Sequence, residues 1–179
     1  VGATYANGYV KNKVMEFVGP GVASLSADCR NGIDCMTTET TCWSSIWQTD
    51  GVTEEYLAGH GRADAYKELK PADVAYYDGC IELDLSKIEC MIALPMHPSY
   101  AYPIRELKAN AKDLLHEIET RANEQLSGKV KMDLVSKVRA DGSIYVDQGI
   151  VAGCSGGTYE NLCAVADILR GKSCGNGEF

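Results

Sequence analysis

The 179-residue sequence contains no apolar run approaching the roughly 20 residues that carry a helix across a bilayer, so no membrane-spanning helix is expected. Basic residues are in the minority, 17 Lys and Arg against 25 Asp and Glu, for a formal net charge of −8. An acidic surface repels phosphate backbones, which makes nucleic acid a poor partner. The sequence has no C-x-x-C pair and no His at zinc-finger spacing, which argues against a closed zinc site. Missing too is the leader pattern of a Met, a charged stretch and an apolar stretch; the sequence starts at Val1, and either end reads as a cut.

What is present fits a packed protein. Hydrophobic residues make up 45% and charged residues 23%, the balance of an ordinary globular domain, or of one domain with part of another. Eight cysteines stand at positions 29, 35, 42, 80, 90, 154, 163 and 174. With a full apolar complement beside them they do not form a small disulfide scaffold. Most are expected to be buried, reduced and packed as small hydrophobes, in a cytoplasmic protein.

Strand-like and helix-like segments alternate, which predicts an α/β class: a three-layer α/β/α sandwich with a mostly parallel or mixed sheet. Strands are expected at 1–5, 13–18, 44–47, 81–85, 90–94, 129–138 and 144–152. Gly19-Pro20-Gly21 ends the second of these, because Pro cannot extend a ladder. Two short helices are expected within 22–42, broken near Asn31-Gly32, and another from Thr53 to near Gly59 or Gly61. The clearest helix opens at Pro103 and runs to about Leu126. Ile104, Leu107, Ala111, Leu114, Ile118 and Ala122 form its apolar stripe. A last helix follows Thr158 as cap and ends at Arg170, with Gly171 after it. A domain boundary is expected near the Pro98 to Pro103 turn, giving domains 1–102 and 103–179.

Cys154 carries the most chemistry. It is expected at the carboxyl end of a strand, on the glycine-rich Gly153-Cys154-Ser155-Gly156-Gly157 loop before a helix, the edge where open α/β sheets bind ligands. A thiolate there serves as a nucleophile, a metal ligand, or simply a packed thiol. Asp34-Cys35-Met36-Thr37-Thr38-Glu39 is a second constellation, set among Cys29, Cys42, Trp43 and Trp47. A carboxylate kept in such surroundings needs partners, as acid–base and metal-shell residues do. His60, His97 and His116 are scattered. Cys42-Trp43 and the Cys154 loop superficially match papain-like proteases, but that chemistry needs a base His downstream of both, and every His precedes residue 117.

Six blocks in collinear order resemble the aconitase and isopropylmalate dehydratase superfamily. They are Glu16-Phe17-Val18-Gly19-Pro20-Gly21-Val22; Met36-Thr37-Thr38-Glu39 with Ser44-Ser45-Ile46-Trp47; Gly61-Arg62-Ala63-Asp64; and Tyr77-Asp78-Gly79-Cys80 through Ser86. The last two are Ile92-Ala93-Leu94-Pro95-Met96-His97-Pro98-Ser99 and Gly153-Cys154 through Asn161-Leu162, ending at Lys172. The fold implied is that of the second and third aconitase domains.

The resemblance implies an iron–sulfur hydro-lyase that dehydrates and rehydrates a hydroxy di- or tricarboxylic acid. It implies a [4Fe–4S] cluster on three cysteines, with one iron open as a Lewis acid. By the same resemblance Cys154 is one cluster ligand and Glu39 an active-site carboxylate. The family's Asn before Met is Cys35 here, so a hydrogen bond at the site is lost or remade, and the Thr-Asn after the ligand Cys is Ser155-Gly156, which alters the loop lining the cluster. The other two ligands have no counterpart in 155–179. The chain is therefore expected to be an internal piece of a larger hydro-lyase, inactive and without a bound cluster by itself. Its implied partners are a small hydroxy-acid substrate and the remaining domains of the same polypeptide. The alternative is a non-catalytic binding or structural domain of a divergent homologue.

Overall fold

Val14–Phe17 and Ser44–Trp47 are rich in β-branched and aromatic residues, and they pair as the parallel strands β1 and β2, in register from Val14 against Ser44 to Phe17 against Trp47. In the computed structural model, which describes residues 1–173 and Gly175, a second pair is antiparallel: β3 (Met91–Ala93) against β4 (Ala101–Pro103). The helices, in chain order, are α1 (Gly2–Tyr5), α2 (Ala27–Thr37), α3 (Gly51–Gly59), α4 (Ile104–Ala109), α5 (Ala111–Gln125), α6 (Gly153–Gly156) and α7 (Tyr159–Leu169). The class is α/β, as expected, with a small parallel sheet; each sheet among the described residues has two strands. No described helix is long and apolar enough to cross a membrane.

The chain groups into two units. One comprises Val1–Tyr9 and Glu82–Gly149, so the turn at 98–103 lies inside it. The other comprises Val10–Ile81 with the described part of Ile150–Phe179.

In the first unit most of the expected helical stripe forms the core. Leu107, Ala111, Ile118 and Ala122 are buried as expected, whereas Leu114 is half-buried and its neighbour Leu115, outside the expected stripe, takes the buried place; Leu94 packs with Leu107, Leu115 and Ile118. Ile104 is exposed instead, because the helix expected as continuous is broken at Asn110 into α4 and α5. The segment after α5 was expected to be extended, but it is hooked onto that helix by side chains. Glu119 accepts from Leu134 N at 2.8 Å and Val135 N at 3.1 Å, and Asn123 accepts from Met132 N at 2.7 Å. With those amides taken by carboxylate and amide oxygens, only one β-bridge remains, Val138 to Ile144.

Other expected strands fail for local reasons. Residues 2–5 form α1, not a strand. Residues 81–84 adopt no regular structure, because Asp84 accepts from Ser86 N at 3.0 Å to start a 3₁₀ turn, and Ile81 and Leu83 stay exposed. Strand β3 forms, yet all three of its residues are exposed where a buried strand was expected. Cys29, Cys80, Cys90, Cys154 and Cys163 are exposed and Cys35 and Cys42 half-buried, so the expectation of buried thiols does not hold for these seven. Cys174 lies outside the described residues.

Candidate functional site

In the second unit the site is built around α2. Ser26 caps its start, accepting from Cys29 N at 3.1 Å, and the helix runs unbroken through Asn31-Gly32, where a break was expected. At Gly32 the two backbones pass close, so that a Cβ there would stand in van der Waals contact, 3.4 Å from the Ser155 carbonyl oxygen. Gly32 and Cys35, one turn of α2, thus lie against the 153–156 segment.

Asp34, one residue before Cys35, is the carboxylate that found partners. It accepts from Ser45 Oγ at 2.5 Å and from Trp47 Nε1 at 2.8 Å, tying α2 to β2. The Thr37 hydroxyl joins them, 3.2 Å from Ser45 Oγ. Sequence reasoning placed Asp34 in the constellation but not as its anchor; the signal was the indole and hydroxyl donors of Ser45 and Trp47, two residues apart on one strand face. Asp34→Ala strands both donors, so it should lower the unfolding midpoint by the equivalent of about 1–3 kcal/mol in urea titration.

Glu39, expected as an active-site carboxylate, lies in a 3₁₀ turn (Thr38–Thr40) that continues α2, and it is exposed. The chain leaves this turn through Thr41, whose φ of 63° lies in the left-handed region.

Cys154 does not sit at a strand end before a long helix. Val151 and Ala152 are not in a strand, and Cys154 lies inside the four-residue α6, separated from α7 by Gly157 and Thr158. The glycines dictate this. Gly153 has φ +81°, and a Cβ on Gly157 would meet Gly153 O at 2.8 Å and Gly153 N at 2.9 Å, so 153–157 closes into a tight turn where an extended edge was expected. The Cys154 side chain is exposed, while Ser155 and Gly156 are half-buried.

The structure brings Cys35 and Cys154 together. The Cys35 thiol donates to the Cys154 carbonyl at 3.5 Å. Hydrogen bonding to the Cys154 side chain, then burial, raises the Cys35 thiol above the usual cysteine range.

The α7 N-terminus is occupied by a different pairing. Glu160 N donates to Asp28 Oδ2 at 2.9 Å, while Ser26 Oγ donates to Glu160 Oε2 at 2.6 Å, so the first turns of α2 and α7 cap each other. Thr158, expected as the cap, makes no capping hydrogen bond with its side chain. An open groove of about 500 Å³ lies beside these two starts, lined by Ser26, Ala27, Tyr56, His60 and Glu160 among others; Cys35, Glu39 and Cys154 do not line it.

Below the site, Arg30 is 4% exposed and grips Asp50 through two hydrogen bonds of 2.9 and 2.8 Å. It also donates to the carbonyls of Val22 and Leu25, at 2.8 and 3.1 Å. Asp50 in turn caps α3, accepting from Val52 N and Thr53 N. The pair locks the 3₁₀ turn (Pro20–Ser24), α2 and α3 into one frame. Sequence reasoning missed it, since nothing in the pattern distinguished Arg30 from a surface arginine.

Residues 1–178 match the aconitase family (aconitate hydratase). The chain belongs to that family. Among curated relatives it is similar to the 2,3-dimethylmalate dehydratase large subunit of Eubacterium barkeri, 30% identical over 158 residues, covering 88% of this chain and 30% of that one. It is 28% identical to the 3-isopropylmalate dehydratase large subunit of Caldicellulosiruptor bescii over 165 residues, covering 92% of this chain and 30% of that one. A third relative, the 3-isopropylmalate dehydratase large subunit 1 of Pyrococcus furiosus, is 29% identical over 160 residues, with 89% and 30% covered. The chain thus spans about 30% of the length of each of these aconitase-family relatives.

Proposed function

We propose that this chain belongs to an iron–sulfur hydro-lyase that dehydrates and rehydrates a hydroxy di- or tricarboxylic acid, acting in a large subunit with a small-subunit partner. Within it, Cys154 is one of three cluster ligands and Glu39 contacts substrate. The observation carrying this reading is the placement of Cys154: an exposed thiol on a glycine-shaped turn, packed against the helix that leads into Glu39. Family membership and the names of the large-subunit relatives support the reaction class.

The residues present fit one corner of a cluster site. Among the described residues no three His, Cys, Asp or Glu side chains gather as a metal site, so the remaining thiolates are to come from elsewhere in the full polypeptide. When bound, the cluster supplies a Lewis-acidic iron with an open position. What this chain supplies is a sulfur donor at Cys154, an accessible carboxylate at Glu39, and the Asp34–Ser45–Trp47 brace that fixes α2 beneath both. A carboxylate open to solvent accepts or returns a proton without rearranging the packing around it.

Two variants of the full-length protein test the assignment. After reconstitution with iron and sulfide, Cys154→Ser should hold at least about tenfold less cluster by iron analysis and visible absorption; unchanged content would remove Cys154 from the ligand set. Glu39→Gln should keep its cluster and lose roughly 10²–10⁴ in kcat. Full turnover in that variant would take Glu39 out of the reaction.

A second reading draws on the altered positions, Cys35 for the family's Asn and Ser155-Gly156 for its Thr-Asn. These changes favour a cluster-bearing but non-catalytic homologue. Hydration of cis-aconitate-like acids by the intact protein separates the two: turnover supports the enzyme, and a folded, cluster-loaded, inert protein supports the binding role.

A further inference from the structure

Cys35 and Cys154 lie 119 positions apart in sequence, yet the Cys35 sulfur is 3.5 Å from the Cys154 carbonyl oxygen. The approach is built in rather than incidental. Gly32 passes close to the Ser155 backbone on the same side of α2, and Asp34 anchors the same turn of α2 to β2. Exposure differs usefully within the pair: Cys154 is open to solvent and Cys35 stands half-buried behind it. An accessible thiol with a second thiol at its back is the arrangement of a reactive cysteine and its resolving partner.

We infer that Cys35 and Cys154 form a redox-sensitive pair that a peroxide closes into a disulfide. The Cys154 sulfur attacks one peroxide oxygen, the O–O bond breaks, and a sulfenic acid and one water result. The Cys35 sulfur then attacks the Cys154 sulfur and displaces the sulfenic oxygen as a second water. Hydrogen peroxide takes up two electrons and the two thiols lose them, together with two protons. A dithiol reductant reverses the step by exchange. Closure goes beyond the proposed cluster role and does not depend on it. Its consequence does rest on that role: a closed pair withholds Cys154 from metal and keeps its sulfur from the irreversible sulfinic and sulfonic states.

The test uses the full-length protein, purified cluster-free, treated with equimolar hydrogen peroxide, alkylated and digested with trypsin. The peptides Asn31–Arg62 and Ala140–Arg170 contain the two sulfurs. They should appear joined, about 2 Da below their summed mass, and separate again with dithiothreitol. Because these peptides also carry Cys42 and Cys163, fragmentation assigns the linked sulfurs. Recovery of Cys154 as sulfinic acid with Cys35 alkylated overturns the pair, as does a link through Cys42 or Cys163. The wild-type digest decides this without any substituted variant. Cluster uptake by the closed protein, before and after reduction, separates the two proposals: a link that forms but leaves uptake unchanged upholds the pair and removes Cys154 as a ligand.

Discussion

Arg30→Ala is expected to destabilise the second unit by about 3–5 kcal/mol. The side chain of Arg30 is 5% exposed and that of Asp50 22%. Truncating the cation leaves a carboxylate partly desolvated beside the start of α3 and strands the carbonyls of Val22 and Leu25. The loss should appear in urea unfolding followed by tryptophan fluorescence. Both tryptophans lie in this unit, and Trp47 stacks on Phe17 with its ring 6.0 Å from the Arg30 guanidinium. A shift under about 1 kcal/mol would show that the pair behaves as a surface ion pair.

The same pair sets an acid limit. Hydrogen bonding to Arg30 holds the Asp50 carboxyl below the usual carboxylate range, with the Thr53 and Val52 amides acting in the same direction and burial opposing them. A depressed folded-state value stabilises the native form above the unfolded-state value of about 3.9, and that contribution is lost as pH falls through the folded value. Wild-type stability should therefore decline below about pH 4, and Arg30→Ala should flatten that decline because the largest cause of the shift is gone. An acid titration of the fluorescence midpoint reads both slopes.

Ile118→Ala is expected to cost about 2–5 kcal/mol in the first unit. Ile118 is 0% exposed and packs with Leu94, Leu107 and Leu115 at the centre of a ring that includes Tyr100, Tyr102, Leu134 and Val138. Removing its branched end opens a cavity that the surrounding groups cannot fill, because Glu119 and Asn123 pin the covering segment to α5. Hydrogen exchange of the α5 amides measures the effect locally. Protection unchanged within a few tenths of a kcal/mol would mean that the core collapses onto the gap instead of being held open by the pinned segment.

Features set by local forces leave their trace in the sequence. The stripe from Leu107 to Ala122 was legible because burial of a helical face imposes a spacing on the residues themselves. Strands β1 and β2 were legible for a similar reason. The segments at 81–85, 129–138 and 144–152 were not, because a β-prone run becomes a strand only when a partner takes its amides. In 129–138 Glu119 and Asn123 took them first, Asp84 starts a 3₁₀ turn at the end of 81–85, and 144–152 keeps a single bridge from Ile144 to Val138. At the candidate site the residue types were readable, but their geometry was not. The glycines around Cys154 read as a loop after a strand and proved to be a closed turn, since the crowding at Gly157 comes from the backbone of Gly153 folding back upon it.

By itself, then, the sequence determined the α/β class, the family, the amphipathic face of α5 and the identity of the thiols and carboxylates available for chemistry. Tertiary structure alone decided that Asp34 is braced by Ser45 and Trp47, that Arg30 is buried on Asp50, and that Cys35 meets Cys154 across 119 positions. The physical reason is range. Periodicity and turn chemistry act over a few residues and leave a trace in the order of side chains, whereas a hydrogen bond or thiol contact between distant segments depends on packing that no local pattern encodes.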